Sequence, residues 1–106
     1  MANVISGQET FLKMFPGEAL GTLVNGITNA VGTSFDEQKM RNPTHEEKKR
    51  RFTICVNWAK TLRGDLKWGV QRIADEMVNV LRTELIGQRY QPNKREVWVP
   101  QDGAVA

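Results

Sequence analysis

The residues best equipped for chemistry in this chain are its cations. Lys48-Lys49-Arg50-Arg51 sets four positive side chains in succession, and Lys60, Arg63 and Lys67 follow. On a wheel of about 100° per residue, Lys49, Lys60 and Lys67 fall within about 20° of one another, with Arg63 and Gln71 about 40° to either side. A linear stripe of this kind suits a polyanion. Lys and Arg that neutralise phosphates release condensed counterions, which gives affinity without regard to base sequence. Arg89, Lys94 and Arg95 form a second cluster further along. The expected nucleic-acid-contacting set is therefore Lys48, Lys49, Arg50, Arg51, Lys60, Arg63, Lys67, Gln71, Arg89, Lys94 and Arg95.

The total charge understates this concentration. The 106 residues carry a formal net charge of +3, but residues 1–40 hold −2, residues 41–95 hold +7 and residues 96–106 hold −2. Such asymmetry bears on partners and association rather than on fold.

Other chemistries find little support. His45, the single His, stands in an expected first helical turn, where no nucleophile or carboxylate can be set against it by spacing alone. Asp75 and Glu76 are adjacent, so on a helix they diverge by about 100° and do not form an acid/base pair. Neither phosphate-loop pattern, G-x-x-x-x-G-K-[ST] nor G-x-G-x-x-G, occurs. One Cys excludes an internal disulfide, and with one His it leaves too few ligands for a zinc finger. Cys55 sits in Phe52-Thr53-Ile54-Cys55-Val56 and reads as a core thiol. No catalytic residue, metal or cofactor is expected. Arg63-Gly64-Asp65 spells an adhesion tripeptide, but it lies inside a helical pattern and reads as coincidence. Gln71 to Met77 resembles the opening of a helix-turn-helix, yet helical phase continues through Val78-Asn79-Val80, where the turn should fall.

The elements that must position these cations are helical. Ser6-Gly7-Gln8-Glu9 matches a capping box and predicts a helix over about 7–15, ended by Pro16-Gly17. Leu20, Leu23, Val24, Ile27 and Val31 predict a second over 18–31, closed by Gly32. Ser34-Phe35-Asp36-Glu37 repeats the capping signal and predicts one or two turns over 35–40. Thr44-His45-Glu46-Glu47 is the clearest start in the chain. From Phe52 to Leu81 apolar residues recur at three- or four-residue steps, and the phase does not slip across Gly64-Asp65. The reading is one long helix over about 45–86, kinked near Gly64 and Gly69. The alternative is a helical pair broken at Gly64-Asp65, with Asp65 as a new N-cap. After a loop over 88–95, Glu96-Val97-Trp98-Val99-Pro100 predicts a short extended segment.

The expected fold class is thus mainly α, in one domain over 1–106. Short N-terminal helices occupy 1–41, the long basic amphipathic helix or helix pair 44–87, and a loop, short strand and tail 88–106. A helix of roughly 40 residues would be about 60 Å long. The short segments before it could not cover its apolar stripe, so a helical homodimer is expected, in coiled-coil fashion. Trp58, Leu62, Leu66, Trp68, Ile73, Met77 and Trp98 are the expected dimer or partner contacts. No stretch is apolar for long enough to span a membrane, and the first residues lack the pattern of a secretory signal, so a cytoplasmic location is expected.

Function follows from the cations. The expected role is a non-enzymatic, homodimeric binder of nucleic acid, with a duplex, RNA included, held by its phosphates. The alternative is a protein-interaction module, regulatory or assembling, that works through an exposed Trp and apolar surface.

Overall fold

The computed structural model describes residues 11–92, and these are mainly helical, with no strand among them. A helical turn over 11–14 closes where the Phe15 N–H donates to the Phe11 carbonyl at 3.0 Å. Pro16-Gly17 then redirects the chain. Gly17 has φ 58°, a left-handed conformation that suits a residue without Cβ. Three helices follow: α1 over Glu18–Glu37, α2 over His45–Gly64 and α3 over Val70–Leu85.

Each helix buries the face its apolar spacing specifies. α1 buries Leu23, Ile27, Ala30, Val31 and Phe35, and α3 buries Ile73, Ala74, Met77, Val80 and Leu81. These two pack together most extensively. Their approach depends on Gly26: a Cβ there would stand 2.6 Å from the Cβ of Ala74 and 3.0 Å from its Cα. α2 buries a narrower line, Arg51, Cys55, Ala59 and Leu62, one residue per turn. Phe52, Ile54, Val56 and Trp58 flank this line half-buried against the core, so a strip on the far side of the helix is left facing outward.

The start of α2 is capped as its sequence specifies. Thr44 Oγ1 accepts from the Glu47 N–H at 3.1 Å. Arg51, 3% exposed, ties this first turn to the end of α1. Its guanidinium donates to Glu47 Oε2 at 2.9 Å, Ser34 Oγ at 2.9 Å and Gln38 Oε1, and lies 4.4 Å from the Phe35 ring centroid. A buried cation is tolerable only when paired and fully hydrogen-bonded, and this one is. Across the same end of the bundle, Arg82 of α3 holds Glu37 of α1 through both carboxylate oxygens. The guanidinium bonds lower the carboxyl pKa of Glu37 and Glu47 below the usual 4.5. Their contribution is therefore present above about pH 4.5 and fades as the pH falls through the lowered values.

The long helix is not formed. α2 ends at Gly64, and Asp65–Gly69 turn the chain into α3. Lys67 has φ 60°, which no helix interior allows, and the Trp68 N–H reaches back to the Leu62 carbonyl at 3.0 Å. Gly69 occupies the N-cap position of α3, and Asp65 instead closes α2. Phase continues across the break because Leu62 and Ile73 are eleven residues apart, close to three whole helical turns. The N-terminal part is also longer than expected. α1 runs through Gly32, and Ser34 lies inside it, donating to the Val31 carbonyl at 2.6 Å rather than starting a new helix. The apolar stripe is thus covered by α1 within one chain, which removes the argument for a second copy. The expected segments over 7–10 and 96–100, with Lys94, Arg95 and Trp98, lie outside the described residues.

The packing sets the response to three substitutions. Gly26→Ala forces α1 and α3 apart and costs about 1–3 kcal/mol. Gly32→Ala, at a position open to solvent, stabilises by about 0.5–1 kcal/mol through helix propensity. Arg51→Ala destabilises by about 2–4 kcal/mol. Chemical denaturation followed by circular dichroism measures all three.

Candidate nucleic-acid interface

α2 separates its charges by direction. From Lys48 to Gly64 its sequence contains six Lys or Arg and no Asp or Glu. The buried line passes through Arg51, Cys55, Ala59 and Leu62, so the opposite face carries Lys49, Arg50, Thr53, Asn57 and Lys60. Lys49, Arg50, Thr53 and Asn57 are exposed and Lys60 is half-buried. Lys49 and Lys60 lie about 16 Å apart along the axis. Only Glu46, in the first turn, adds a carboxylate to this face. Lys48 is exposed, but it stands in line with the buried side of the helix, about 100° round from Lys49. Lys48, Lys49 and Lys60 have no ion-pair partner among the described residues. Arg50 pairs with Glu47 at 3.3 Å through an exposed guanidinium, a contact of the kind that yields readily to a stronger anion.

The remaining expected contacts are dispersed. Arg51 points inward and is withdrawn from the set by burial. Arg63 is half-buried and donates to the Trp68 carbonyl at 3.0 Å, with its guanidinium 5.7 Å from the Phe15 ring, so it braces the α2–α3 turn. Lys67 is exposed, but it belongs to that turn and not to the helical ridge. Gln71 lies on α3 and donates to Asp75 at 2.9 Å. With Thr22, Asn25, Asn29 and Val78 these two line a groove of about 390 Å³ between α1 and α3.

The expected partner surface is absorbed into the fold. Leu62, Trp68, Ile73 and Met77 are buried and Leu66 is half-buried. Trp68 carries the Arg72 guanidinium 3.7 Å from its ring centroid. The described large apolar residues left exposed, Leu12, Val24 and Ile86, are scattered.

Trp58 is half-buried at the edge of the ridge. Its Nε1 donates to Glu84 Oε2 at 3.1 Å, and the Tyr90 ring meets it edge-on at 5.0 Å between centroids. Arg89 stands over the ring at 5.6 Å. Tyr90 holds this corner closed: it is 4% exposed, its N–H donates to Glu84 Oε2 at 2.9 Å, and its hydroxyl donates to Glu76 Oε2 at 2.7 Å. Asn57, Trp58, Thr61, Glu84 and Arg89 line a cleft of about 260 Å³. Spacing could not reveal Glu84 and Tyr90, because they meet Trp58 only after the chain turns back at Asp65–Gly69. The one available signal was a lone Tyr followed closely by Pro92.

Among the described residues, no cluster of three or more His, Cys, Asp or Glu is placed to hold a metal, and no helix is long and apolar enough to cross a membrane. No protein-family model, curated protein or solved structure matches this chain.

Cys55 tests the packing under the ridge. It is fully buried, and burial pushes its thiol up to about 12. A thiol-reactive probe at neutral pH should label it only as the protein unfolds. Rapid labelling of the folded protein would contradict the placement of α2.

Proposed function

We propose that this protein binds nucleic acid through the outer face of α2, without catalysing a reaction. The observation that carries this reading is the run of cations from Lys48 to Lys60, in which only Arg50 and the buried Arg51 pair with a carboxylate, that of Glu47 in the first turn. Lys49, Arg50 and Lys60 make the phosphate contacts. Thr53 and Asn57 lie between them as short hydrogen-bonding groups for phosphate or sugar oxygens. Lys67 and Arg89 extend the positive field at the two flanks. The other helices lack this character: α1 has no charged residue between Ala19 and Phe35.

A homodimer would double the ridge, but the ridge is complete on one chain. The protein-interaction reading is weaker, because Trp68 is buried and Trp58 is hydrogen-bonded within the fold.

The test is fluorescence anisotropy of labelled strands and duplexes across a salt series. Affinity should fall steeply with salt, and the Lys49→Ala, Lys60→Ala double variant should lower the slope of log K against log salt by about one to two units. Both side chains face outward, so the double variant should unfold at nearly the wild-type temperature. No binding to any strand or duplex at low salt would overturn the reading.

A further inference from the structure

The ridge supplies phosphate contacts, which carry no base information. The cleft at its edge has a different chemistry. It pairs one cation, Arg89, with one anion, Glu84, so it is close to neutral beside a strongly positive face. A phosphate gains nothing by leaving the ridge for a site next to a carboxylate. A neutral group that donates hydrogen bonds does gain.

Resting on the phosphate reading above, we infer that this cleft receives one unpaired nucleobase, guanine in preference to the others, from a strand whose backbone lies on α2. Trp58 supplies the stacking surface. Arg89 is the moving cover: it is exposed, and at 5.6 Å it stands further from its ring than Arg72 does from Trp68 at 3.7 Å. A base needs roughly 3.4 Å on each of its faces. An outward movement of Arg89 would therefore sandwich it between the guanidinium and the ring. The cleft of about 260 Å³ suits a single planar ring system and falls below the about 300–1,000 Å³ of sites for larger ligands.

Glu84 sets the base preference. Its Oε2 is held by Trp58 Nε1 and the Tyr90 N–H, which fixes the carboxylate, while Oε1 has no partner among the described residues. Oε2 is engaged twice, so Oε1 is the open acceptor, and its two lone pairs suit the two adjacent N–H donors that the Watson–Crick edge of guanine offers at N1 and N2. Adenine and uracil present at most one donor beside an acceptor, which would face the carboxylate unfavourably. Asn57, exposed on the ridge at the mouth of the cleft, is the group nearest the sugar and phosphate of the same nucleotide. The base must be unpaired, because a duplex buries that edge. The preferred ligand is thus a single strand or a loop.

The experiment compares short uridine strands carrying one central guanosine or one central adenosine, and the guanosine strand annealed to its complement. The guanosine strand should bind about tenfold more tightly than the adenosine strand, the size of one bidentate base contact, and more tightly than its own duplex. Glu84→Gln keeps an oxygen for Trp58 and Tyr90 but loses the second acceptor. It should abolish the guanosine preference while leaving the melting temperature and the salt slope unchanged. Asn57→Ala, on an exposed position, should weaken all strands alike. Equal binding of both strands, tighter binding of the duplex, or a preference that survives Glu84→Gln would overturn the cleft while leaving the phosphate ridge intact. Absence of binding to every strand would overturn both.

Discussion

One buried guanidinium decides which way α2 faces. In a run of four cations, three can remain in water and one cannot: Arg51 falls in line with Cys55, Ala59 and Leu62 and must enter the bundle with them. Its cost of desolvation is offset by Glu47 from its own helix, Ser34 of α1, Gln38 at the cap that ends α1, and the face of Phe35. The partners come from two helices, so the contact fixes the rotation of α2 about its axis as well as its position. With Arg51 inward, Lys49, Arg50 and Lys60 are turned outward together. The structural cation and the three proposed contacts are thus consequences of a single constraint.

The other constraint is the close approach of α1 and α3 at Gly26 and Ala74. It lets these two helices bury full apolar faces against each other, so α2 needs to contribute only a narrow line to the core. With Phe52, Ile54, Val56 and Trp58 only half-buried beside that line, α2 keeps its far side for other work. Tyr90 completes the arrangement from the far side, closing over Trp58 and binding carboxylates at Glu76 and Glu84. In this way a corner of the core becomes the wall of a cleft next to the ridge.

Local signals in the sequence were legible where the physics is local. Thr44 reads as a cap because its hydroxyl serves an amide three residues away, and Cys55 reads as core because its neighbours are apolar. The break at Gly64 was hidden, since an eleven-residue step from Leu62 to Ile73 preserves helical phase whether or not the chain turns between them. Gly32 read as a terminator, yet it is tolerated within α1 because the packing of Val31 and Phe35 outweighs the modest propensity loss. The candidate interface was legible in part. The cations of α2 are visible as a run, and only their four-residue alignment with Cys55 hints that Arg51 is the exception. Arg63 and Gln71 were joined to the stripe by a helix that does not exist. Glu84 joins Trp58 through a tertiary contact across 26 residues, which no local pattern encodes.

The central claim is directional: nucleic acid meets the outer face of α2 and no other face. Amide chemical shifts recorded while an unlabelled strand is titrated into isotopically labelled protein test this most directly. The account predicts that the largest changes fall on Lys49, Arg50, Thr53, Asn57 and Lys60, spreading to Thr61 and Arg89, while the exposed positions of α1 at Gly21, Thr28 and Gly32 stay fixed. Changes centred on α1 or on the α1–α3 groove, with α2 unmoved, would contradict it.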